Sequence, residues 1–257
     1  MAKWTPFPHA GDYAFDAAAV KKQWARLHAG DAEPLPKEPE VLQAWALFHA
    51  GDFQKAAEAG LKAGGEGMTV ANKATCIYAN YLEKKEKAKL DLFMEVAQRA
   101  EAQAARDPKN PNAWYWQAYA LGRYSQGISV AKALAQGLGG KVKEALERAI
   151  KLQPRHADAH IALGAFHAEV IDKVGTLIGG MTYGAKKDTG LKLFQEALKL
   201  NPGSAIGMIE YANGLVMLEG DRKMKEATRL YEQAAASKPA DAMEHLDVGL
   251  ALAELQD

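Results

Sequence analysis

Three histidines have a spacing that could bind a metal ion. His160 and His167 follow His156 by four and eleven residues, so all three fall within a narrow arc of one helix face. Two imidazoles four residues apart can hold a metal ion. However, Leu163 shares that face, and neither an HExxH pattern nor a cysteine ligand accompanies the histidines. We predict core or capping histidines and no metal site, with a metal-dependent enzyme as the alternative.

Two further features resemble functional sites but lack the neighbouring residues that such sites need. Residues Gly137–Lys141 are rich in glycine, but Val142 stands where a phosphate loop needs serine or threonine, and no strand is predicted before them. Cys76 has His49 and His167 as conceivable bases, but nothing near it in sequence activates a thiol, so we predict a buried structural cysteine. The sequence contains no catalytic constellation. We therefore expect a protein that is not an enzyme and uses no cofactor.

Composition excludes several other classes of function. Lys plus Arg equals Asp plus Glu, at 32 each, which argues against the electrostatic footprint of a nucleic-acid-binding protein. The longest uncharged apolar stretches fall short of the roughly 18 residues of a membrane span. Residues 1–36 lack the basic start and apolar core of a secretory signal, and the single cysteine suits a reducing compartment. We predict a cytoplasmic protein without a membrane span or a nucleic-acid partner.

The composition also predicts the fold class. About fifty of the 257 residues are alanine, whereas Val, Ile and Thr together number about half of that. Alanine loses no side-chain entropy in a helix, and β-branched residues favour strands. Apolar residues recur at spacings of three and four, as in Val142, Ala145, Leu146 and Ala149. We predict an all-α protein.

The helical segments repeat. Four of them end alike at a proline, which cannot continue a helix and restricts the residue before it; the prolines are Pro108, Pro154, Pro202 and Pro239. After each proline a new helix begins with a large, a small and a large residue at spacings of four and three. These triplets are Trp114, Ala118 and Leu121; His160, Gly164 and His167; Met208, Ala212 and Leu215; and His245, Gly249 and Leu252. Small residues at the middle position let two helices approach closely.

This arrangement resembles the tetratricopeptide repeat (TPR), whose period is about 34 residues. Gly51, Phe53, Ala56 and Ala63 fit the turn and second helix of an earlier unit. The resemblance covers roughly residues 37–257. It implies a right-handed superhelix of antiparallel helix hairpins, in which the first helix of each hairpin lines a concave groove.

Two hairpins are longer than the repeat requires. The additional residues are Gly127–Gly140 and Val174–Lys187, and both segments are apolar enough that we expect packed, lengthened helices joined by glycine-containing turns. This pattern is similar to the TPR proteins associated with TRAP transporters, the T component, and to the TPR domain of microtubule-dynamics regulators. The first resemblance implies a helical body with a ligand-accessible channel that partners a solute-binding protein.

The N-terminal residues have their own repeat. The sequence Trp24–Asp31 returns, in modified form, as Trp45–Asp52, and a proline-rich link separates the two. We predict a capping segment with one helix over residues 1–36, which covers the apolar end of the TPR-like domain over residues 37–257.

The TPR resemblance also implies a binding surface. Eight residues of the first helices face the predicted groove: Tyr115, Tyr119, Arg123, Ile161, Ala165, Ile209, Asn213 and Val216. TPR domains that grip a C-terminal carboxylate carry Lys and Asn at the positions of Tyr115 with Tyr119 and of Ile161 with Ala165, so that clamp is missing here. The remaining lining is apolar and edged by aromatic residues, which suits an apolar peptide helix or a small apolar ligand with one polar group.

Two functions remain open. The first is a non-catalytic scaffold that binds a protein or peptide partner, with Tyr115, Tyr119, Arg123 and Asn213 as its anchors, because tyrosine and arginine bury large areas and keep a polar tip. The second is a small-molecule carrier whose cavity is closed by the two inserted segments. A third possibility is that the insertions bury the groove residues as ordinary core.

Overall fold

A computed structural model describes residues 3–256 as helices joined by turns, with no strand in that range. The sequence therefore predicts the fold class correctly. The helices are α1 (Ala17–Leu27), α2 (Pro39–His49), α3 (Phe53–Ala63), α4 (Gly67–Tyr81), α5 (Glu86–Arg106), α6 (Pro111–Gln126), α7 (Val130–Ala135), α8 (Leu138–Leu152), α9 (Ala157–Tyr183), α10 (Lys187–Leu200), α11 (Ala205–Glu219), α12 (Met224–Ala235) and α13 (Ala242–Glu254). A 3₁₀ turn, Gly220–Lys223, joins α11 to α12.

The chain folds into two compact units. Unit 1 consists of the described residues through His28, of Glu33–Leu152 and of Asp241–Met243. Unit 2 consists of Ala29–Ala32, of Gln153–Ala240 and of the described residues from Glu244 onward. The predicted division at residue 36 into a capping segment and a repeat domain stays a prediction, as does the right-handed superhelix.

Within each unit, successive helices pack as TPR-like hairpins. Unit 1 contains the pairs α2 with α3, α4 with α5, and α6 with α8, and unit 2 contains α9 with α10 and α11 with α12. The four predicted proline boundaries are confirmed, since α5, α8, α10 and α12 end two to four residues before Pro108, Pro154, Pro202 and Pro239. Loss of the proline N–H and the crowding before its ring explain why α5, α8 and α10 end there.

The first insertion differs from the prediction. The expected lengthened helices are absent from residues 127–137; α6 ends at Gln126, α7 forms a separate short helix, and α8 begins at Leu138. The Ser129 hydroxyl caps α7 by accepting a hydrogen bond from the Lys132 amide at 3.2 Å. Gly137 then adopts a φ of 64°, which favours glycine and ends the helix. The cap at Ser129 and the turn at Gly137 therefore make α7 a separate helix.

The second insertion is helical, but it does not continue the preceding helix as predicted. Within α9 the non-helical residue Gly175, with a φ of 81°, separates two helical segments. A residue with a side chain would be strained at this φ, so glycine permits the break.

The expected packing of both insertions is wrong at their ends. Five of their large apolar side chains are exposed: Val130, Leu134, Leu177, Ile178 and Met181. Apolar composition predicts burial only where another element lies within reach, and none of the described elements covers these side chains.

Candidate functional site

Helix α6 positions the aromatic residues of the predicted binding surface. It begins at Pro111, whose fixed φ suits the first helical position. The Asn110 side chain caps the helix by accepting hydrogen bonds from the amides of Asn112 at 3.0 Å and Ala113 at 3.2 Å. This start sets the register of α6, so residues spaced by four lie along one face.

Three of the predicted site residues come together on that face. The ring centroids of Tyr115 and Tyr119 are 6.1 Å apart, and the guanidinium carbon of Arg123 lies 5.4 Å from the centroid of the Tyr119 ring. The Trp116 ring packs edge-on against both tyrosines. Tyr115 is buried, whereas Tyr119 and Arg123 are half-buried. Of the three, only Tyr119 and Arg123 present surface to a partner.

In unit 2, two of the predicted groove residues belong to hydrophobic cores. Ile161 packs with Phe194 and Leu215, and the half-buried Ala165 lies against the same cluster. Ile209 lies in a second cluster together with Val248. The buried isoleucines stabilise the packing of α9 and α11.

The remaining two predicted residues are both half-buried on α11. The Asn213 side chain accepts a hydrogen bond from the Tyr231 hydroxyl at 2.6 Å, which ties α11 to α12. Val216 follows one turn later on α11. That Asn213 and Val216 contact a partner stays a prediction.

The three spaced histidines have structural roles. His156 caps α9, because its Nδ1 accepts a hydrogen bond from the Ala159 amide at 3.1 Å. Nδ1 of His160 lies 2.9 Å from the His156 carbonyl oxygen, and Nδ1 of His167 accepts from the Lys186 amide at 3.1 Å. All three side chains are buried, as the core-or-cap interpretation predicts. Across residues 3–256, no group of three His, Cys, Asp or Glu side chains has a geometry suited to a metal ion.

Cys76 lies in α4, most of which is buried. Burial raises the pKa of the Cys76 thiol far above its ordinary value, and the positive charges of Arg99 and Arg123 offset this only in part. We expect the folded protein to react with a thiol reagent such as DTNB at least about a hundredfold more slowly than the chain unfolded in guanidinium chloride. Equal rates in the two states would contradict the burial of the thiol.

A buried polar network beside Cys76 was missed by the sequence analysis. The Arg99 guanidinium on α5 donates to Asn72 Oδ1 at 2.6 Å and to Thr75 Oγ1 at 3.1 Å on α4. The Asn72 amide donates in turn to Gln103 Oε1 at 3.0 Å. Hydrogen bonds of this kind offset the cost of burying polar groups. No sequence signal marks these residues, because they are polar types common on any helix surface.

A second missed feature is a buried cluster of two histidines and an aspartate in unit 1. His49 Nδ1 lies 2.6 Å from Asp241 Oδ2, and His49 Nε2 lies 3.4 Å from His28 Nε2. The His28 ring stacks on Trp24 with centroids 3.9 Å apart. The repeat of Trp24–His28 as Trp45–His49 was the available signal, since both pairs have a spacing of four. The cluster attaches Asp241 to α2.

Three buried polar atoms have no hydrogen-bond partner within the described part of the chain. They are Nε1 of Trp45, Nε1 of Trp116 and Oε1 of Gln117. Unpaired buried groups cost free energy. The last two lie on α6, next to the Tyr115–Tyr119 face.

The chain is similar to one family of known proteins. The sequence profile of the family described as regulator of microtubule dynamics protein 1-3 matches residues 53–255. No curated protein matches the sequence. In residues 3–256, no helix has both the length and the apolar character needed to cross a bilayer.

Solved structures support the fold. A thermophilic TPR protein from Thermus thermophilus superposes with a TM-score of 0.58 at 17% identity, over 83% of this chain and 97% of that one. The TPR protein YrrB, which has an unusual peptide-binding site, gives a TM-score of 0.39 at 16% identity, over 94% of this chain and 100% of YrrB. The superposition on the Thermus thermophilus protein confirms the predicted TPR resemblance.

Proposed function

Because the chain belongs to the family of regulator of microtubule dynamics proteins 1-3, we propose that it is a non-catalytic TPR scaffold that binds a protein or peptide partner. In unit 1 the binding surface lies on α6, with Tyr119 and Arg123 as its anchors. Asn213 and Val216 on α11 are the proposed contacts in unit 2. A cytoplasmic location is part of the same proposal.

The observation that carries this proposal is the pairing of Arg123 with Tyr119. The guanidinium carbon lies 5.4 Å from the ring centroid, within the range of a cation–π contact. Tyrosine and arginine dominate the energetics of protein interfaces because each offers a large, ordered surface with a polar end. Both side chains are only half-buried, so a partner can cover the rest of their surface.

Photo-crosslinking tests the proposed surface. A crosslinking amino acid introduced at Tyr119 in the native host should capture a protein, because this half-buried position is a proposed anchor. The matched control is Tyr124, a second half-buried tyrosine on α6, which should give little product. Equal capture at both positions would place the binding surface elsewhere.

A binding measurement gives the size of the effect. Tyr119→Ala should weaken capture by about 2 kcal/mol, which is about thirtyfold in Kd, whereas Tyr124→Ala should leave capture nearly unchanged. The family's description names microtubule dynamics. Polymerised tubulin is therefore the first purified partner to test by co-sedimentation. An unchanged affinity of Tyr119→Ala for a partner crosslinked at this face would contradict the proposal.

A small-molecule ligand is the second candidate, and one observation favours it. Nε1 of Trp116 and Oε1 of Gln117 are buried without a partner among the described residues, and a ligand with a polar end could satisfy both atoms. Native mass spectrometry of freshly purified protein distinguishes the candidates, since a carrier retains a ligand and a scaffold with an accessible surface does not.

A further inference from the structure

The ends of the two inserted hairpins expose apolar side chains that no described element covers. We call residues 127–137 the first tip and residues 174–186 the second tip. In the second tip, Leu177 is 75%, Ile178 58% and Met181 82% exposed. In the first tip, Val130 is 45% and Leu134 46% exposed. These five include the three most exposed large apolar side chains among the described residues.

The charged residues nearest to the first tip in sequence are all positive. No acidic residue occurs between Asp107 and Glu144, a stretch that includes α6 and α7. It contains five basic residues, which are Lys109, Arg123, Lys132, Lys141 and Lys143. Lys132 is exposed on α7, on the side of the helix opposite to the face that Val130 and Leu134 share. The first tip therefore combines apolar side chains with a positive charge, although the whole chain is neutral.

The second tip has a similar arrangement. Residues 174–185 carry no charge, and the nearest charged residue on each side is a lysine, Lys173 or Lys186. Both lysines are exposed. Asp172 and Asp188 lie one and two residues further out, so the lysines are the charges closest to the apolar end. Lysine side chains at such positions can reach polar headgroups while the apolar residues insert below them.

We propose that each tip is a contact site for the surface of an anionic lipid bilayer. The apolar side chains insert at the level of the headgroups, and the lysines pair with lipid phosphates. Each tip offers only two or three apolar side chains, whereas a stable protein interface buries about 1,200–2,000 Å². A bilayer needs no such area, because each inserted side chain and each nearby lysine adds to the affinity independently. The contact is peripheral and involves no membrane-spanning helix.

Vesicle flotation tests the contact directly. The wild-type protein should float with vesicles of phosphatidylcholine and phosphatidylserine, and much less with phosphatidylcholine alone, because the lysines require anionic lipid. The triple variant Leu177→Ser, Ile178→Ser, Met181→Ser should bind at least about tenfold more weakly, since the inserted apolar area is lost. The double variant Val130→Ser, Leu134→Ser and the charge variant Lys132→Glu should each reduce binding by several-fold.

The matched control removes exposed apolar residues outside the tips. Met217 and Leu252 are 38% and 47% exposed, so Met217→Ser, Leu252→Ser should bind vesicles like the wild type. All substituted residues are exposed, and the thermal melt of each variant should match that of the wild type. Failure of the wild type to float with anionic vesicles, or equal binding of the triple variant, would overturn the proposal. So would a change in self-association of the triple variant without a change in vesicle binding, because the tip would then be a contact between copies of the chain.

A fluorescent label reports insertion itself. Met181→Cys can be labelled selectively with an environment-sensitive dye, because Cys76 is buried. The dye should brighten and shift to the blue when anionic vesicles are added. The same dye at Met217→Cys should not respond. A response at both positions, or at neither, would contradict insertion of the second tip.

Discussion

Asp241→Ala is expected to destabilise the protein by about 3 kcal/mol, because it removes the hydrogen-bond partner of a fully buried imidazole. The Asp241 carboxylate lies 2.6 Å from Nδ1 of His49, and both side chains are almost completely buried. Removal of the carboxylate leaves the imidazole N–H buried without its acceptor, and this desolvation is not offset by any new contact. The midpoint of thermal unfolding should fall by about 6–12 °C.

The control is an aspartate in an exposed ion pair. Asp52 and Lys55 interact at 2.8 Å on the surface, where solvent screens the charges, so Asp52→Ala should change the free energy of unfolding by at most about 1 kcal/mol. A double variant, Asp241→Ala with His49→Ala, should cost less than the sum of the two single variants, because they share one interaction. If Asp241→Ala behaves like Asp52→Ala, the buried pair contributes nothing to stability.

Phe194→Ala is expected to destabilise the protein by about 3–5 kcal/mol. Phe194 on α10 is fully buried, and its ring stacks on Tyr211 with centroids 5.4 Å apart. The ring fits between α9 and α11 because both helices carry glycine there. A Cβ at Gly164 would lie 3.1 Å from the ring, and a Cβ at Gly214 would lie 2.8 Å from Cζ. Truncation would leave a cavity that these two backbones cannot fill.

A compensating variant separates the cavity from other effects. Gly214→Ala should be strongly destabilising alone, since the new methyl group overlaps the Phe194 ring. In the Phe194→Ala background the same methyl group enters the cavity, so Gly214→Ala should be nearly neutral or stabilising there. Leu252→Ala, at an exposed position, should change the midpoint of a urea unfolding curve only slightly. A similar effect of Gly214→Ala in both backgrounds would show that Phe194 does not fill this gap.

The sequence predicts which residues of the candidate site share a helix face, but not which of them are buried. The spacing of Tyr115, Tyr119 and Arg123 predicts that they share one face of α6, because helix periodicity is a local property. The same spacing could not reveal that Tyr115, Ile161 and Ile209 are buried, since apolar groove residues and core residues look alike in sequence. The number of anchors that remain accessible therefore depends on the packing.

The sequence by itself determined the all-α class, the helix ends before the four prolines and the structural use of the spaced histidines. Each of these rests on interactions within a few residues, such as the capping of α9 by His156. Only the tertiary structure decided that Asp241 pairs with His49, which is 192 residues away, and that Leu177 and Met181 remain exposed. The reason is that burial depends on which distant segment packs against a side chain, and no local pattern encodes that segment.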